Sequence, residues 1–185
     1  LYLADTEVYY QGRLSDTHQT TFGIRTIEVV PEKGFLLNGK RLVFHGTCNH
    51  HDLGPLGTAV NMQAIRYRLK MLKDMGSNAY RTSHNMPSPE LVKACNEMGM
   101  LLMVETFDEW KAKKMANGYN KYYDEWVERD LVNVVRHYRN DPSVVMWCIG
   151  NEVPDQGSVQ GAKLCRMMQD IVHREDPTRP CTQGM

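Results

Sequence analysis

The chain has 185 residues, of which 42% are hydrophobic, so it is long enough for one packed domain and unlike a disordered chain. Its 22 Lys and Arg residues balance 22 Asp and Glu residues, and no basic stripe points to nucleic acid or an anionic membrane as the partner. No apolar run approaches the roughly 18 residues of a membrane-spanning helix. No signal peptide is visible, but the chain opens on Leu1-Tyr2-Leu3 without a Met, as expected for the middle of a longer protein, so this says little about the compartment. We expect a soluble protein, in the cytoplasm or the periplasm.

The first 45 or so residues predict strands. Residues 1–30 are rich in β-branched and aromatic side chains, with a turn at Gln11-Gly12-Arg13. Asn38-Gly39 then lies between two apolar runs, which is the strongest short signal for a hairpin. We expect this part to be all-β and to carry no chemistry.

Helices and strands alternate after residue 45. Apolar residues recur at helical spacing in four segments, which begin at Asn61, Ser88, Asp124 and Ser158. Short apolar runs precede and follow these segments, so the predicted order after residue 40 is β-α-β-α-β-α-β-α-β. This alternation predicts a parallel sheet, either closed into a barrel or open and doubly wound. No Gly-rich phosphate loop follows the first strand, which argues against a dinucleotide-binding sheet.

Polar side chains follow each complete strand of this region. The residues are Asn49, His50, His51 and Asp52; Arg81, Thr82, Ser83, His84 and Asn85; Glu105, Thr106, Asp108, Glu109 and Trp110; and Asn151 and Glu152. In a barrel, functional side chains collect at the carboxyl ends of the strands. Carboxylates, amides, imidazoles and a Trp are the groups that bind and cleave sugars, so the pattern favours a sugar site.

Two other kinds of site are less well supported by the sequence. His51, His84 and Glu105 could form a zinc site, but no HxH or HxxxH pair occurs. The five cysteines are odd in number, include no CxxC pair and mostly sit in apolar patterns, so we expect buried, reduced thiols.

Two segments of the chain resemble the signature segments of glycoside hydrolase family 2, which contains β-galactosidases and β-glucuronidases. They are Arg81-Thr82-Ser83-His84, followed by Pro87, and RNDPSVVMWCIGNE at residues 139–152. GFLLNGKRLVFHGTCNHHDLGPLG, VETFDEW and NGYNKYYDEW are most similar to β-galactosidase-type members. The resemblance implies an α/β fold: residues 33–185 as the N-terminal half of a (β/α)8 TIM barrel, and residues 1–32 as the end of an all-β immunoglobulin-like sandwich.

The resemblance also implies roles for individual residues. Glu152 matches the general acid/base, Asn151 the amide that binds the sugar 2-hydroxyl, and Arg81 the arginine that supports the carboxylates. The substrate-binding set is completed by His51, His84, Glu105, Asp52, Asp108 and Trp110, the last three from their position in similar loops only. Glu105 could instead form a structural ion pair with Arg81, and Trp110 could simply pack in the core.

Two departures from the family pattern limit these assignments. The first signature often reads His-Tyr-Pro, whereas this chain has His84-Asn85-Met86-Pro87. The family's nucleophile is a Glu on a late barrel strand, and no residue up to Met185 matches it. We therefore expect the isolated chain to be inactive.

The implied activity is hydrolysis of terminal β-D-galactosides by a retaining mechanism, with a β-galactoside oligosaccharide as the partner. A β-glucuronidase of the same family is the alternative, and a non-catalytic carbohydrate-binding fragment is the alternative from a different class. No cofactor is expected, although some members hold Mg²⁺ or Na⁺ near the residue that matches Glu105. A homo-oligomer is compatible with the resemblance.

Overall fold

A computed structural model gives the fold of residues 1–184. The first 41 residues form antiparallel strands, as their composition predicts: β1 (Tyr2–Tyr10), β2 (Arg13–Phe22), β3 (Ile27–Val30), β4 (Gly34–Leu37) and β5 (Lys40–Arg41). β1 and β2 form a two-stranded ribbon that turns at Gln11-Gly12, and β4 and β5 turn at Asn38-Gly39. Both predicted turns are confirmed. β3 pairs with β4 across residues 32 and 33, so the predicted domain boundary lies inside one small sheet.

The rest of the described chain alternates strictly between strand and helix. The strands are β6 (Gly46–Asn49), β7 (Ala79–Thr82), β8 (Leu101–Glu105), β9 (Val144–Asn151) and β10 (Cys181–Gly184). The helices are α1 (Met62–Asp74), α2 (Pro89–Met98), α3 (Tyr123–Tyr138) and α4 (Val159–Glu175). The strands pair in parallel in their chain order, β6 to β10. A doubly wound sheet would reverse its strand order at a switch point, so this order is that of a barrel.

Local sequence explains where the helices begin. Asn61, Ser88 and Ser158 each accept a hydrogen bond from a backbone N–H in the first turn of α1, α2 and α4. These residue types satisfy the free N–H groups at a helix start, so three of the four predicted starts are confirmed as caps. α3 begins at Tyr123, one residue before the predicted start, and has no side-chain cap.

The core lies between the parallel sheet and its helices, and β9 runs through its centre. Val144, Val145, Trp147, Cys148 and Ile149 are each at most 1% exposed. β9 has β8 on one side and β10 on the other, so its backbone is paired along both edges. A strand held in this way is rigid, and it ends at Asn151.

Cysteine burial agrees with prediction in full at two positions and in part at two more. Cys95 and Cys148 are buried, Cys165 and Cys181 are half-buried, and Cys48 is exposed, against expectation. All five lie within residues 1–184 and are free thiols. Burial raises the pKa of Cys148 and of Cys181 to about 12, so neither is a ready nucleophile. Within the described residues, no helix has the length and apolar character needed to cross a membrane.

Candidate active site

The carboxyl ends of β7, β8 and β9 meet at one edge of the sheet, because the three strands are parallel neighbours. There Arg81 lies between Glu105 and Asn151: its Nε donates to Glu105 Oε2, and its Nη2 donates to Asn151 Oδ1 at 2.6 Å. One guanidinium therefore joins the ends of all three strands. Arg side chains suit this task because their donors are fixed in a plane.

Glu105 is fully buried and held on both sides. Its second oxygen, Oε1, lies 2.5 Å from His84 Nδ1, and its backbone N–H donates to Thr82 Oγ1 at 2.9 Å. A buried carboxylate is stable only when it is paired, and Arg81 and His84 supply that pairing. Burial opposes the charge on Arg81, but the hydrogen bond and negative charge of Glu105 outweigh it, so the pKa of Arg81 is raised.

Asp108 and Lys114 fix the other side of the Asn151 amide. Lys114 Nζ donates to Asp108 Oδ1 at 2.8 Å and to the backbone oxygen of Asn151 at 2.9 Å. Asn151 Nδ2 donates to the same Asp108 oxygen at 3.0 Å and lies 3.4 Å from His84 Nε2. Partial burial favours the neutral acid at Asp108, but the hydrogen bonds from Lys114 and Asn151 and the charge of Lys114 lower its pKa below the usual range. Asp108 is thus ionised at neutral pH and sets which way the amide faces.

Glu152 follows directly and differs from these neighbours in being exposed to solvent. Its φ is 46°, in the left-handed region that few residues other than Gly adopt. Its backbone N–H donates to the oxygen of Gly184 on β10 at 2.9 Å. The chain therefore leaves the strand abruptly at Glu152 while its backbone stays tied to the sheet.

The predicted sugar contact of Trp110 is wrong. Trp110 is only 1% exposed, and its indole N–H donates to the backbone oxygen of Ile149 at 2.6 Å. A Cβ at Gly150 would lie 2.6 Å from that indole nitrogen, so the ring packs against the bare backbone of β9. The loop after β8 folds back onto β9 and buries the ring, which therefore cannot stack on a substrate.

The loop after β6 brings His51 and Asp52 to the same edge. His51 Nε2 contacts Asn85 Oδ1, next to His84 in the chain, and the His50 ring packs edge-on against His84 with centroids 5.0 Å apart. Asp52 is exposed, and it is its backbone oxygen that accepts a hydrogen bond, from Arg68 of α1. His51 thus adjoins the central cluster, whereas a substrate contact for Asp52 stays a prediction.

Glu105 has no carboxylate oxygen free to bind a cation. Arg81 and His84 each contact one of the two Glu105 oxygens. Lys114 and Asn151 both donate to Asp108 Oδ1. Within the described residues, no group of three His, Cys, Asp or Glu side chains is placed to hold a metal. Mg²⁺ and Na⁺ need free oxygen ligands, and these carboxylates already have cationic partners.

A cavity of about 440 Å³ opens beside His84 and Asp108, between the loops after β7 and β8. Phe107 and Tyr119, whose rings stack at 4.8 Å, form one part of its wall. The volume is within the range of pockets that take small molecules. The cluster therefore adjoins space large enough for a sugar unit.

Comparison with known proteins identifies the family. The family model described as "Glycosyl hydrolases family 2, TIM barrel domain" matches residues 27–184. The chain belongs to glycoside hydrolase family 2. Family 2 membership confirms the resemblance carried by the two signature segments and the barrel that they imply. The immunoglobulin-like domain stays a prediction, since the ribbon β1–β2 is the part described before the matched region.

Relatives within family 2 carry two different activities in their names. Beta-galactosidase BoGH2A of Bacteroides ovatus is 49% identical over 158 residues, covering 85% of this chain and 19% of that protein. Beta-glucuronidase of Sus scrofa is 32% identical over 173 residues, covering 92% of this chain and 26% of that protein. A family 2 member from Bacteroides cellulosilyticus superposes with a TM-score of 0.93 at 37% identity, covering 99% of this chain and 24% of that one. The chain thus spans about a fifth to a quarter of these relatives.

Three contacts of the cluster were not predicted. Lys114 sits in the long loop after β8, Gly184 at the end of β10, and Arg68 on α1. Lys114 belongs to the run Lys111-Ala112-Lys113-Lys114, where nothing in the sequence separates a solvated Lys from one that turns inward. Arg68 lies on the apolar side of α1 next to Leu69, which was the only available signal.

Proposed function

We propose that the full-length protein containing this chain hydrolyses terminal β-D-galactosides with retention of configuration. The observation that carries the proposal is the cluster of Arg81, Glu105, Asp108 and Asn151 at the strand ends, directly before Glu152. Family 2 membership supports a glycoside hydrolase. The 49% identity to a relative named beta-galactosidase favours a galactoside.

In this mechanism Glu152 works with a second carboxylate about 5–5.5 Å away, the spacing of retaining glycosidases. Glu152 gives its proton to the leaving oxygen while the second carboxylate bonds to the anomeric carbon and the glycosidic bond breaks. Glu152 then removes a proton from the water that opens the glycosyl-enzyme, which restores both groups. The second carboxylate is expected outside residues 1–185, since no residue of the chain matches it.

The neighbours of Glu152 would orient the sugar rather than react with it. Asn151 would bind the 2-hydroxyl, with its amide held by Arg81 on one side and Asp108 on the other. A fixed amide needs no reorganisation when the transition state forms. Glu105 would act by holding Arg81 and His84, since both its oxygens are taken, and His84, His51 and Asp52 would line the sugar pocket.

The test is to assay the full-length enzyme on nitrophenyl β-galactoside and nitrophenyl β-glucuronide. We expect the galactoside to be cleaved with retention at the anomeric carbon, read by NMR of the first-formed product. Glu152→Gln should reduce kcat by about 10²- to 10⁴-fold, the usual contribution of a general acid/base, because no group is left to activate the water that opens the glycosyl-enzyme. The nitrophenolate leaves without protonation, so kcat/KM should change much less. Glu128→Gln, the same change at an exposed position on α3, should have no effect. Formation of the inverted anomer would overturn the mechanism.

β-Glucuronidase is the second candidate, because the Sus scrofa relative carries that name. Faster cleavage of the glucuronide than of the galactoside would show that the enzyme is a β-glucuronidase. If neither glycoside is cleaved but either one binds, the protein is a carbohydrate-binding module without catalysis.

A further inference from the structure

Gly184 ends β10 directly beside Asn151 of β9, its partner in the parallel register. A Cβ built at Gly184 would lie 2.5 Å from Arg81 Nη2 and 3.2 Å from Asn151 Oδ1. Gly184 is not among the residues with a left-handed φ, so its backbone does not require glycine. Instead, the Arg81 guanidinium occupies the space that a side chain at position 184 would fill.

The backbone of Gly184 makes a second contact with the cluster. Its carbonyl oxygen accepts from the N–H of Glu152 at 2.9 Å and from Gln156 Nε2 at 3.3 Å. One residue thus leaves room for the Arg81–Asn151 hydrogen bond and also anchors the backbone of the residue proposed as acid/base. The carbonyl contact is made to Glu152, whose φ already lies in the left-handed region.

We propose that Gly184 is a positioning residue for hydrolysis, acting through Arg81 on the Asn151 amide. The inference rests on the proposed function, in which Asn151 binds the sugar 2-hydroxyl. Any side chain at 184 collides with the end of Arg81, which is flexible enough to swing away. The swing breaks the bond to Asn151 and disturbs that to Glu105, while the sheet and core stay intact.

The test uses Gly184→Ala in the full-length enzyme, with nitrophenyl β-galactoside and its 2-deoxy analogue as substrates. We expect kcat/KM on the galactoside to fall about 10- to 100-fold, mostly through kcat, because small displacements at a reacting centre have effects of this size. On the 2-deoxy substrate the variant should stay within about threefold of wild type, because the contact it disturbs is then already missing. Disturbing the buried Arg81–Glu105 pair costs some stability, and the better tolerance of Ala than Gly within a strand offsets part of it, so the melting temperature should fall only slightly and the variant should stay folded.

Gly46→Ala is the matched control. Gly46 begins β6, at the far end of the sheet strands from the cluster, and a Cβ there would meet Ala79 at 3.1 Å. Gly46→Ala introduces the same methyl group with mild crowding, and it should leave kcat/KM on both substrates unchanged. Equal losses on the two substrates for Gly184→Ala, or none on either, would overturn the positioning role.

Two further results keep the test decisive. If Gly184→Ala does not fold, it is introduced into an Arg81→Lys background, which removes the nitrogen that collides. We then expect Gly184→Ala to add less than about a threefold loss, whereas a further loss of about tenfold would overturn the role. If the wild-type enzyme is inactive on both glycosides, the proposed function and this role are both overturned. If the wild-type enzyme is active and Gly184→Ala has the same kcat/KM, this role alone is overturned.

Discussion

At the scale of single residues, Glu152 occupies a backbone conformation that its side chain does not favour. A residue other than Gly in the left-handed region stores on the order of 1–3 kcal/mol, and such strain concentrates at functional sites. Its φ of 46° coincides with the abrupt end of β9 and with the bond from its N–H to Gly184. The strain is therefore consistent with selection for the position of the carboxylate rather than for stability.

Replacing Glu152 with Asn should separate stability from activity. Asn tolerates the left-handed conformation, so Glu152→Asn should keep or raise the free energy of unfolding, by up to about 1 kcal/mol. Turnover should be lost because no group is left to remove a proton from the water that opens the glycosyl-enzyme. Denaturant unfolding and the nitrophenyl assay, both on the full-length protein, measure the two effects. A loss of stability larger than about 1 kcal/mol would mean that the Glu152 carboxylate makes stabilising contacts in the full-length protein.

Trp110 packs against the end of β9, just before Glu152. Trp110→Phe keeps most of the ring but removes the N–H that donates to the Ile149 oxygen at 2.6 Å. We expect a loss of about 1–3 kcal/mol in the free energy of unfolding, the usual cost of an unpaired buried polar group. Trp126→Phe is the control, since Trp126 is 40% exposed on α3, and it should cost less than about 0.5 kcal/mol. Equal costs at the two positions would show that the bond to Ile149 adds nothing.

At the scale of elements, the segment between α4 and β10 is fastened to β9 by a buried carboxylate. Asp176 accepts from Trp147 Nε1 at 2.8 Å and from Arg179 Nη1 at 2.6 Å. Arg179 in turn donates to backbone oxygens of Val144 and Arg139. The start of β9 and the approach to β10 are thus held together at the amino ends of the strands, opposite the active edge.

Asp176 should make stability depend on pH in the acid range. Burial would raise the pKa of Asp176, but hydrogen bonds from Thr178, Trp147 and Arg179 outweigh it, so the pKa lies below the usual value. A carboxyl with a lowered pKa adds stability above its unfolded pKa of about 3.9, and that stability is lost as the pH falls through the folded pKa.

The variant that tests this is Asp176→Asn. It should lower the free energy of unfolding by about 3 kcal/mol at pH 7, as expected when one partner of a buried ion pair is removed. The difference in free energy of unfolding between the variant and wild type should narrow steadily from pH 7 to pH 3, as measured by unfolding experiments across that range. Asp170→Asn on the exposed side of α4 should show neither effect. A gap that stays constant with pH would mean that the Asp176 charge does not matter.

The order of elements could be predicted from the sequence, whereas the contacts of the loops could not. Continuous apolar strands and helices with a period near 3.6 are local patterns, and Ser88-Pro89 and Gly99 mark the ends of α2 unaided. Lys114 and Trp110 lie in one loop, and the sequence does not say which of them turns toward Asn151 and which packs under β9. Gly184 has no side chain to give a signal, and its importance depends on Arg81, 103 positions earlier in the chain.

At the scale of the whole molecule, the N-terminal ribbon attaches to the barrel on the side away from the active edge. Arg25, between β2 and β3, donates from Nε to the oxygen of Pro142 and from Nη2 to that of Val144, both at 2.7 Å. Burial lowers the pKa of Arg25 to about 10, which still leaves it charged at neutral pH. A Cβ at Gly23 would lie 2.6 Å from Pro142, so the connecting segment sits close against the start of β9. The ribbon can therefore be held without obstructing access to Glu152.

The described sheet has two open edges, β6 and β10. The open face of the sheet carries an apolar hollow of about 300 Å³, with Phe44, Met103 and Met146 in its wall. In a closed (β/α)8 barrel such side chains fill the interior and neither edge is open. The stability of this part of the fold therefore depends on strands that complete the barrel.

Residues 1–185 produced alone should therefore self-associate. Unpaired strand edges and an exposed apolar hollow are both known causes of aggregation. We expect light scattering after size exclusion to show oligomers or aggregates, and a dye that binds exposed apolar surface to fluoresce more strongly than with the full-length protein at equal mass. A Lys substitution at Met103 should reduce association without restoring hydrolysis, because it places a charge on the open face of the sheet but supplies no nucleophile. A soluble monomer of residues 1–185 with a single cooperative melt would contradict the expectation, since it would mean that the helices and the five-stranded sheet suffice for a stable fold.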